Sequence, residues 1–417
     1  MFIRLLLLCL VFISFNTRAE ETQIQTTSGA DIPVTIYKTT KTKSVLLWLP
    51  TEYGIHGRED ATAKELAKKG IEVWLADLHG AYFLPTGRRS YNNIPLDDIT
   101  DLIIAASNNR QREVILFATG RAAPLALNAT RQLQLDEYTR QIVKSAVLFH
   151  PNFYTNTTKV GKNIEYLPIT YSTNLALYIV QPALSGKSYR LNNLEEHLQT
   201  GGSDVIKQIL PDVADGFNVR EPDSKNEEKL YLKTPSIISS AIKLLKLYSK
   251  NRTAAELIKT DTSTTVATMN AGLQPYQGKI KNLFLDFKDL KDSNHTLKNH
   301  QGEVLLLNFW ATWCPPCVKE LPSLNRLQRD VNSDKFSILA INIGEETSTV
   351  KEFLKPMTIE FPVLTDPQGL SVEPWKLVAF PSSFVIDKQG KIRYGLFGGI
   401  EWDNKEVVEI IQKLLKE

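Results

Sequence analysis

Two cysteines, Cys314 and Cys317, stand two residues apart in Trp313-Cys314-Pro315-Pro316-Cys317, directly behind the apolar run 304–310. The run reads as a buried strand feeding a helix. Pro315 and Pro316 fit the first helical positions, where a missing N–H costs little. Thiolate is the reactive form of cysteine, and a helix N-terminus lowers a thiol pKa from about 8.5 into roughly 3.5–7.5. The short gap lets the sulfurs close a small ring and cycle between dithiol and disulfide. A Cys-x-x-Cys is also half of a structural zinc site, which needs two more Cys or His ligands at short spacing. The third cysteine is Cys9, and the nearest histidines, His295 and His300, precede the strand at no ligand-like spacing. A purely structural clip here would close almost no loop and add little stability. Redox chemistry is the reading these residues favour. No metal, and no cofactor beyond the redox-active Cys314–Cys317 pair, is expected.

The stretch Asn308-Phe309-Trp310-Ala311-Thr312-Trp313-Cys314-Pro315-Pro316-Cys317-Val318-Lys319-Glu320-Leu321-Pro322 resembles the TlpA/ResA-like branch of the thioredoxin superfamily. The likeness continues through a strand at 336–343, a helix at 349–355 and the segment 361–366. It extends to Phe380-Pro381-Ser382-Ser383-Phe384-Val385-Ile386-Asp387, the turn Gly390-Lys391-Ile392, Gly398-Gly399 and a helix at 405–416. The resemblance implies a thioredoxin-like fold from about residue 279 to the end. It implies Cys314 as attacking nucleophile and Cys317, one helical turn deeper, as the thiol that resolves the mixed disulfide. Glu320 lies one turn further along the same helix face, and the resemblance gives it the acid–base role that helps set the thiol pKa values. Pro381 is implied as a cis proline against the disulfide, exposing backbone to a substrate strand, and Trp313 as a shield over the thiolate. Two residues depart from the pattern. Asn308 stands where many thioredoxins carry a buried carboxylate, so Glu320 must carry any proton transfer. Phe380, before the expected cis proline, is bulkier than usual and narrows which substrates can dock.

The elements that must hold this site form only part of a 417-residue chain, a length that suits two domains. Arg4, the apolar core 5–15 and Thr17-Arg18-Ala19 read as a signal peptide over 1–19. That core is shorter than the roughly 20 residues a spanning helix needs. Cleavage after Ala19 removes Cys9 and leaves a mature chain whose cysteines are Cys314 and Cys317, consistent with a redox protein in the periplasm. Membrane association is expected only if the signal segment stays uncleaved. The formal charge of +3 gives no argument for nucleic acid.

Residues 20–258 carry a second pattern, strands at 44–50, 71–77, 113–118, 144–149 and 176–181 alternating with helices at 61–69, 96–106 and after Gly120. Such alternation implies a mostly parallel sheet covered on both faces, and the order resembles the α/β-hydrolase fold. The catalytic parts of that fold are missing. Its nucleophile sits in a Gly-x-Ser-x-Gly turn, whereas here Ala118-Thr119-Gly120-Arg121-Ala122 puts glycine at that position. No acid occurs in 182–188, and no histidine at 215–217. A non-catalytic domain is expected, with Glu52, Tyr53, His79 and Arg121 as candidates to line a partner-binding crevice. The polar stretch 259–278 reads as a linker to the thioredoxin-like domain at 279–417.

The sequence thus points to an α/β protein of two domains. The leading function is an exported thiol–disulfide oxidoreductase acting on protein disulfides of the cell envelope and recharged by an upstream dithiol donor. By resemblance the direction is reductive, as in cytochrome c maturation or oxidase assembly. The alternative is an exported hydrolase regulated by its thioredoxin-like domain.

Overall fold

The computed structural model describes residues 19–39, 44–87, 89–155, 161–258, 272–278, 280 and 283–417. The expected signal peptide except Ala19, and residues 259–271 of the expected linker, lie outside the described residues. Among the described residues no helix is long and apolar enough to cross a membrane.

The chain divides into two compact units. One comprises Met1–Pro151, Asn174–Tyr178 and Phe217–Ala254; the other comprises Asn152–Thr173, Ile179–Gly216 and Ala255–Glu417. This departs from a simple split near residue 259. Strand–helix alternation reports local periodicity, and it does not report which body a segment joins.

The first unit holds strands β1 (Ala19–Gln25), β2 (Asp31–Tyr37), β3 (Ser44–Leu49), β4 (Glu72–Ala76), β5 (Glu113–Thr119) and β6 (Val143–Phe149). Its helices are α1 (Arg58–Lys68), α2 (Leu78–Tyr82), α3 (Leu96–Ala106) and α4 (Ala122–Leu135). β7 (Ala176–Leu184) begins in this unit and runs into the second, which holds α5 (Leu191–Thr200) and β8 (Asp204–Ala214), while α6 (Lys225–Leu245) belongs to the first. The first unit's strands lie in the order β1-β2-β4-β3-β5-β6. β4, β3, β5 and β6 are parallel, and β1 and β2 join antiparallel at one edge. Parallel strands buried on both faces need near-continuous apolar sequence, which Val45 to Leu49 and Val114 to Ala118 supply.

In the second unit, β9 (Gln274–Pro275), β10 (Asp286–Lys288), β11 (Asn294–Thr296), β12 (Val304–Trp310), β13 (Phe336–Ile343), β14 (Val363–Asp366), β15 (Ser382–Ile386) and β16 (Ile392–Phe397) accompany α7 (Pro315–Val331), α8 (Thr347–Leu354) and α9 (Lys405–Lys416). Six strands form a mixed sheet in the order β14-β13-β12-β15-β16-β9. β12 is central: it runs parallel to β13 and antiparallel to β15. Its residues alternate between two cores. Val304, Leu306 and Trp310 pack with α7 residues Leu321 and Leu324 on one face, and Leu305, Leu307 and Phe309 pack with Trp375 and Phe384 on the other. This two-sided burial explains why the strand is apolar throughout. Gln274 and Pro275 pair with Gly395 and Tyr394, so the sheet begins inside the stretch that reads as linker.

Candidate active site

β12 ends at Trp310, and a tight turn carries the chain to Cys314, the N-cap residue of α7, with Pro315 and Pro316 as the first helical residues. Cys314 and Cys317 form a disulfide with 5.3 Å between their Cα atoms. Cys314 is 5% exposed and Cys317 is fully buried. The turn is fixed by a residue the sequence reading did not single out. Glu345 accepts hydrogen bonds from the Thr312 N–H (2.7 Å), the Thr312 hydroxyl and the Asn342 amide (2.8 Å). Its carboxylate thereby anchors the loop two residues ahead of Cys314 to the end of β13.

Glu320 lies one turn beyond Cys317 on the buried face of α7 and is 2% exposed. It is therefore a buried carboxyl and no solvated helix-surface group. The Asn308 amide donates to Glu320 Oε1 at 2.6 Å and to Ser383 Oγ at 3.1 Å, and Trp402 Nε1–H donates to Glu320 Oε2 at 3.0 Å. Burial disfavours the charged form and pushes the Glu320 pKa up to about 7, against the hydrogen bonds from Asn308, Trp402 and the Ile400 backbone, which pull it down. The buried asparagine on β12 and the buried acid on α7 are thus bonded partners. Trp402, distant in sequence, completes their set.

Pro381 follows Phe380 through a cis peptide bond. Phe380 meets the half-buried Trp313 edge-on, with ring centroids 5.8 Å apart. Gly399 joins the parts. A Cβ built there would stand 3.2 Å from the Pro316 carbonyl oxygen, 3.4 Å from Glu320 Oε2 and 3.7 Å from Pro381 Cγ. The helix start, the buried acid and the cis proline therefore converge on one backbone position that has no room to spare. Of the six expected residues, Trp313 and Cys314 lie in the turn into α7, Cys317 and Glu320 on α7, and Phe380 and Pro381 on the approach to β15.

The AhpC/TSA family profile matches residues 279–395. The thiol-disulfide oxidoreductase ResA of Bacillus thuringiensis subsp. konkukian is 34% identical over 126 residues, covering 30% of this chain and 72% of that protein. The chain belongs to the ResA family of thiol-disulfide oxidoreductases. Geobacillus kaustophilus ResA is 34% identical over 110 residues, 26% of this chain and 63% of the relative, so the chain spans under two thirds of that protein's length. The solved structure of StoA from Bacillus subtilis aligns at 21% identity over 35% of this chain and 98% of its own, with a TM-score of 0.27.

The ResA-family match leaves the first unit's candidates to the structure alone. Glu52, His79 and Arg121 come together there. Glu52 Oε2 accepts the Arg121 N–H at 3.0 Å, and His79 Nε2 lies 3.1 Å from the Glu52 carbonyl oxygen. Tyr53 is half exposed, with its N–H on Thr51 Oγ1. Gly120, between β5 and α4, has φ +60°, and a Cβ there would lie 2.5 Å from Glu52 Oε2. Among the described residues no group of three or more His, Cys, Asp or Glu side chains is placed to hold a metal ion.

Proposed function

We propose that this ResA-family protein is an exported protein-disulfide reductase whose first unit is a non-catalytic, α/β-hydrolase-like partner-binding domain. The observation that carries the redox reading is Cys314 capping α7 in a disulfide with Cys317, with buried Glu320 one turn on and cis-Pro381 converging with Glu320 on Gly399.

In the reduced protein Cys314 thiolate attacks one sulfur of a substrate disulfide. That S–S bond breaks, the other substrate sulfur leaves as a thiolate, and a mixed disulfide joins Cys314 to the substrate. Cys317 then loses its proton and attacks Cys314 Sγ, displacing the second substrate sulfur. Two electrons pass to the substrate and the Cys314–Cys317 disulfide remains. An upstream dithiol donor in the envelope, of protein nature, returns it to the dithiol. Glu320, buried near Cys317 and titrating near pH 7, is suited to take the Cys317 proton and return it to a departing thiolate. Trp313 and Phe380 form the contact surface for substrate beside Pro381. The reading of periplasmic location rests on the signal-like start of the sequence and on a mature chain left with one cysteine pair.

Two features support a silent first unit. Gly120 offers no nucleophile at the strand-to-helix turn. The Arg121 N–H is the donor that in such a turn stabilises an oxyanion, and here it is held by the protein's own Glu52 carboxylate. The regulated-hydrolase alternative finds no nucleophile there.

Cys317→Ser tests the proposal by arresting the reaction at the mixed disulfide. Expressed in a native host, the variant is expected to carry envelope proteins covalently on Cys314, released by a thiol reductant. A variant that captures none, while Cys314→Ser behaves the same, overturns the reading.

A further inference from the structure

The thiol pair is not flanked by thioredoxin-like residues alone. Residues 185–190 follow β7, belong to the second unit and lie against the segment that leads into the cis proline. Arg190, 8% exposed, donates from Nη1 to Glu373 Oε1 at 2.9 Å and from Nη2 to the Leu377 carbonyl oxygen at 2.8 Å. The Tyr189 ring fits where two glycines leave space. A Cβ on Gly369 would come within 2.5 Å of the ring, and one on Gly344 would overlap the Tyr189 hydroxyl. Gly344 follows the end of β13, next to Glu345, the acid that holds the turn before Cys314. Gly186 faces Phe380 directly: a Cβ there would lie 3.7 Å from the phenyl ring.

This turn is stiff. Ser185 Oγ donates to Asp215 Oδ2 at 3.0 Å, Lys187 Nζ meets the same oxygen at 2.9 Å, and Ser188 Oγ bonds the carbonyls of Ala183 and Ser185. Phe380 is therefore flanked on one side by Trp313 and on another by Gly186 in this hydrogen-bonded turn. In the mechanism proposed above, a substrate strand beside Pro381 passes Phe380, the residue joined to Pro381 by the cis bond.

We propose that residues 185–190 form a specificity wall of the redox site, selecting disulfides carried on a narrow, extended peptide and rejecting those embedded in folded surface. The inference rests on disulfide exchange at Cys314 and adds the class of substrate. Groups that narrow or widen such a passage by a methylene or more alter discrimination by about tenfold or more.

The test uses the full-length reduced protein and two probes: a short linear peptide in mixed disulfide with glutathione, and folded insulin. Rate constants for both are measured in the parent, in Arg190→Ala, which unpins the wall, and in Gly186→Leu, which adds bulk against Phe380. The expected result is a parent that prefers the peptide, an Arg190→Ala variant whose insulin-to-peptide ratio rises about tenfold, and a Gly186→Leu variant whose ratio falls by a similar factor. Ratios within about twofold of the parent in both variants, or moving in the same direction, overturn the wall. Should Arg190→Ala fail to fold, Gly186→Leu decides alone, since its added side chain leaves the Arg190 anchors in place. A parent that exchanges with neither probe refutes the exchange reading itself, a result distinct from unchanged ratios in an active protein.

Discussion

Replacing Trp402 with phenylalanine keeps an aromatic ring in the buried space beside α7 and removes one N–H. That N–H donates to Glu320 Oε2 at 3.0 Å in a site closed to water. A hydrogen bond to a charged acceptor is worth about 1.5–3 kcal/mol, and a neutral acid retains part of it. The loss falls mainly on the ionised form, by about 1–2 kcal/mol, and each 1.36 kcal/mol is one pKa unit. The Glu320 pKa is therefore expected to rise from about 7 by roughly one unit, because burial continues to favour the neutral acid once a donor is gone. The smaller ring also leaves a cavity costing about 1–3 kcal/mol of stability, read separately as a lower melting temperature. The assay is carboxyl carbon-13 NMR titration of the oxidised protein, in which Cys314 and Cys317 are locked and do not titrate. A midpoint unmoved within about 0.3 units, or moved downward, refutes the argument that Trp402 holds this charge. In the reduced protein the same upward move is expected in the pH profile of disulfide exchange, a readout that loss of packing alone does not shift.

Glu320→Gln is expected to change the pH dependence of stability. The folded pKa of about 7 exceeds the ordinary 4.5, so between those pH values the folded state binds more protons than the unfolded one. Stability attributable to this group is present below about pH 4.5 and is lost as pH rises through 7, by about 3 kcal/mol in all. The variant lacks that loss, so its stability relative to the parent should improve from pH 5 to pH 8 in denaturant titrations; a constant gap contradicts the assignment. Asn308→Asp sets a second carboxyl against Glu320 Oε1, where the amide now lies at 2.6 Å, and two carboxyls so close share one proton. The exchange-rate profile should then show an additional inflection, and a profile identical to the parent's refutes the pairing. Gly399→Ala puts a methyl 3.2 Å from the Pro316 carbonyl, and exchange should slow several-fold, on the order of 1 kcal/mol, with the fold intact by circular dichroism.

What could be read in advance was what local chemistry controls. The Cys-x-x-Cys behind a continuous apolar run and the proline pair located β12, the start of α7 at Cys314 and the helix face that Cys317 shares with Glu320; that this face is buried came from the structure. The parallel strands of the first unit were legible because strands covered on both faces carry long apolar runs. What escaped were partners set by tertiary folding. Trp402 is 82 residues from Glu320, and Glu345 is 33 from Thr312. Neither has a spacing that a helix or strand period would flag. Gln274 and Pro275 read as linker because a two-residue strand has too few positions to show alternation. The placement of 179–216 in the second unit has the same origin: its apolar pattern says that it is buried and is silent about the body that buries it. Asn308 stands out in the sequence as a departure, and its meaning comes only from its distance to Glu320.

The most direct test of the central claim is a stoichiometric exchange. Fully reduced protein is mixed with an oxidised protein substrate, and the thiols gained by the substrate are counted against the Cys314–Cys317 disulfide formed, mapped by mass spectrometry. Two substrate thiols should appear for each disulfide closed, with none in Cys314→Ser. Substrate left oxidised by the intact protein, or reduced equally well without Cys314, would contradict the assignment of the cap of α7 as the seat of the chemistry.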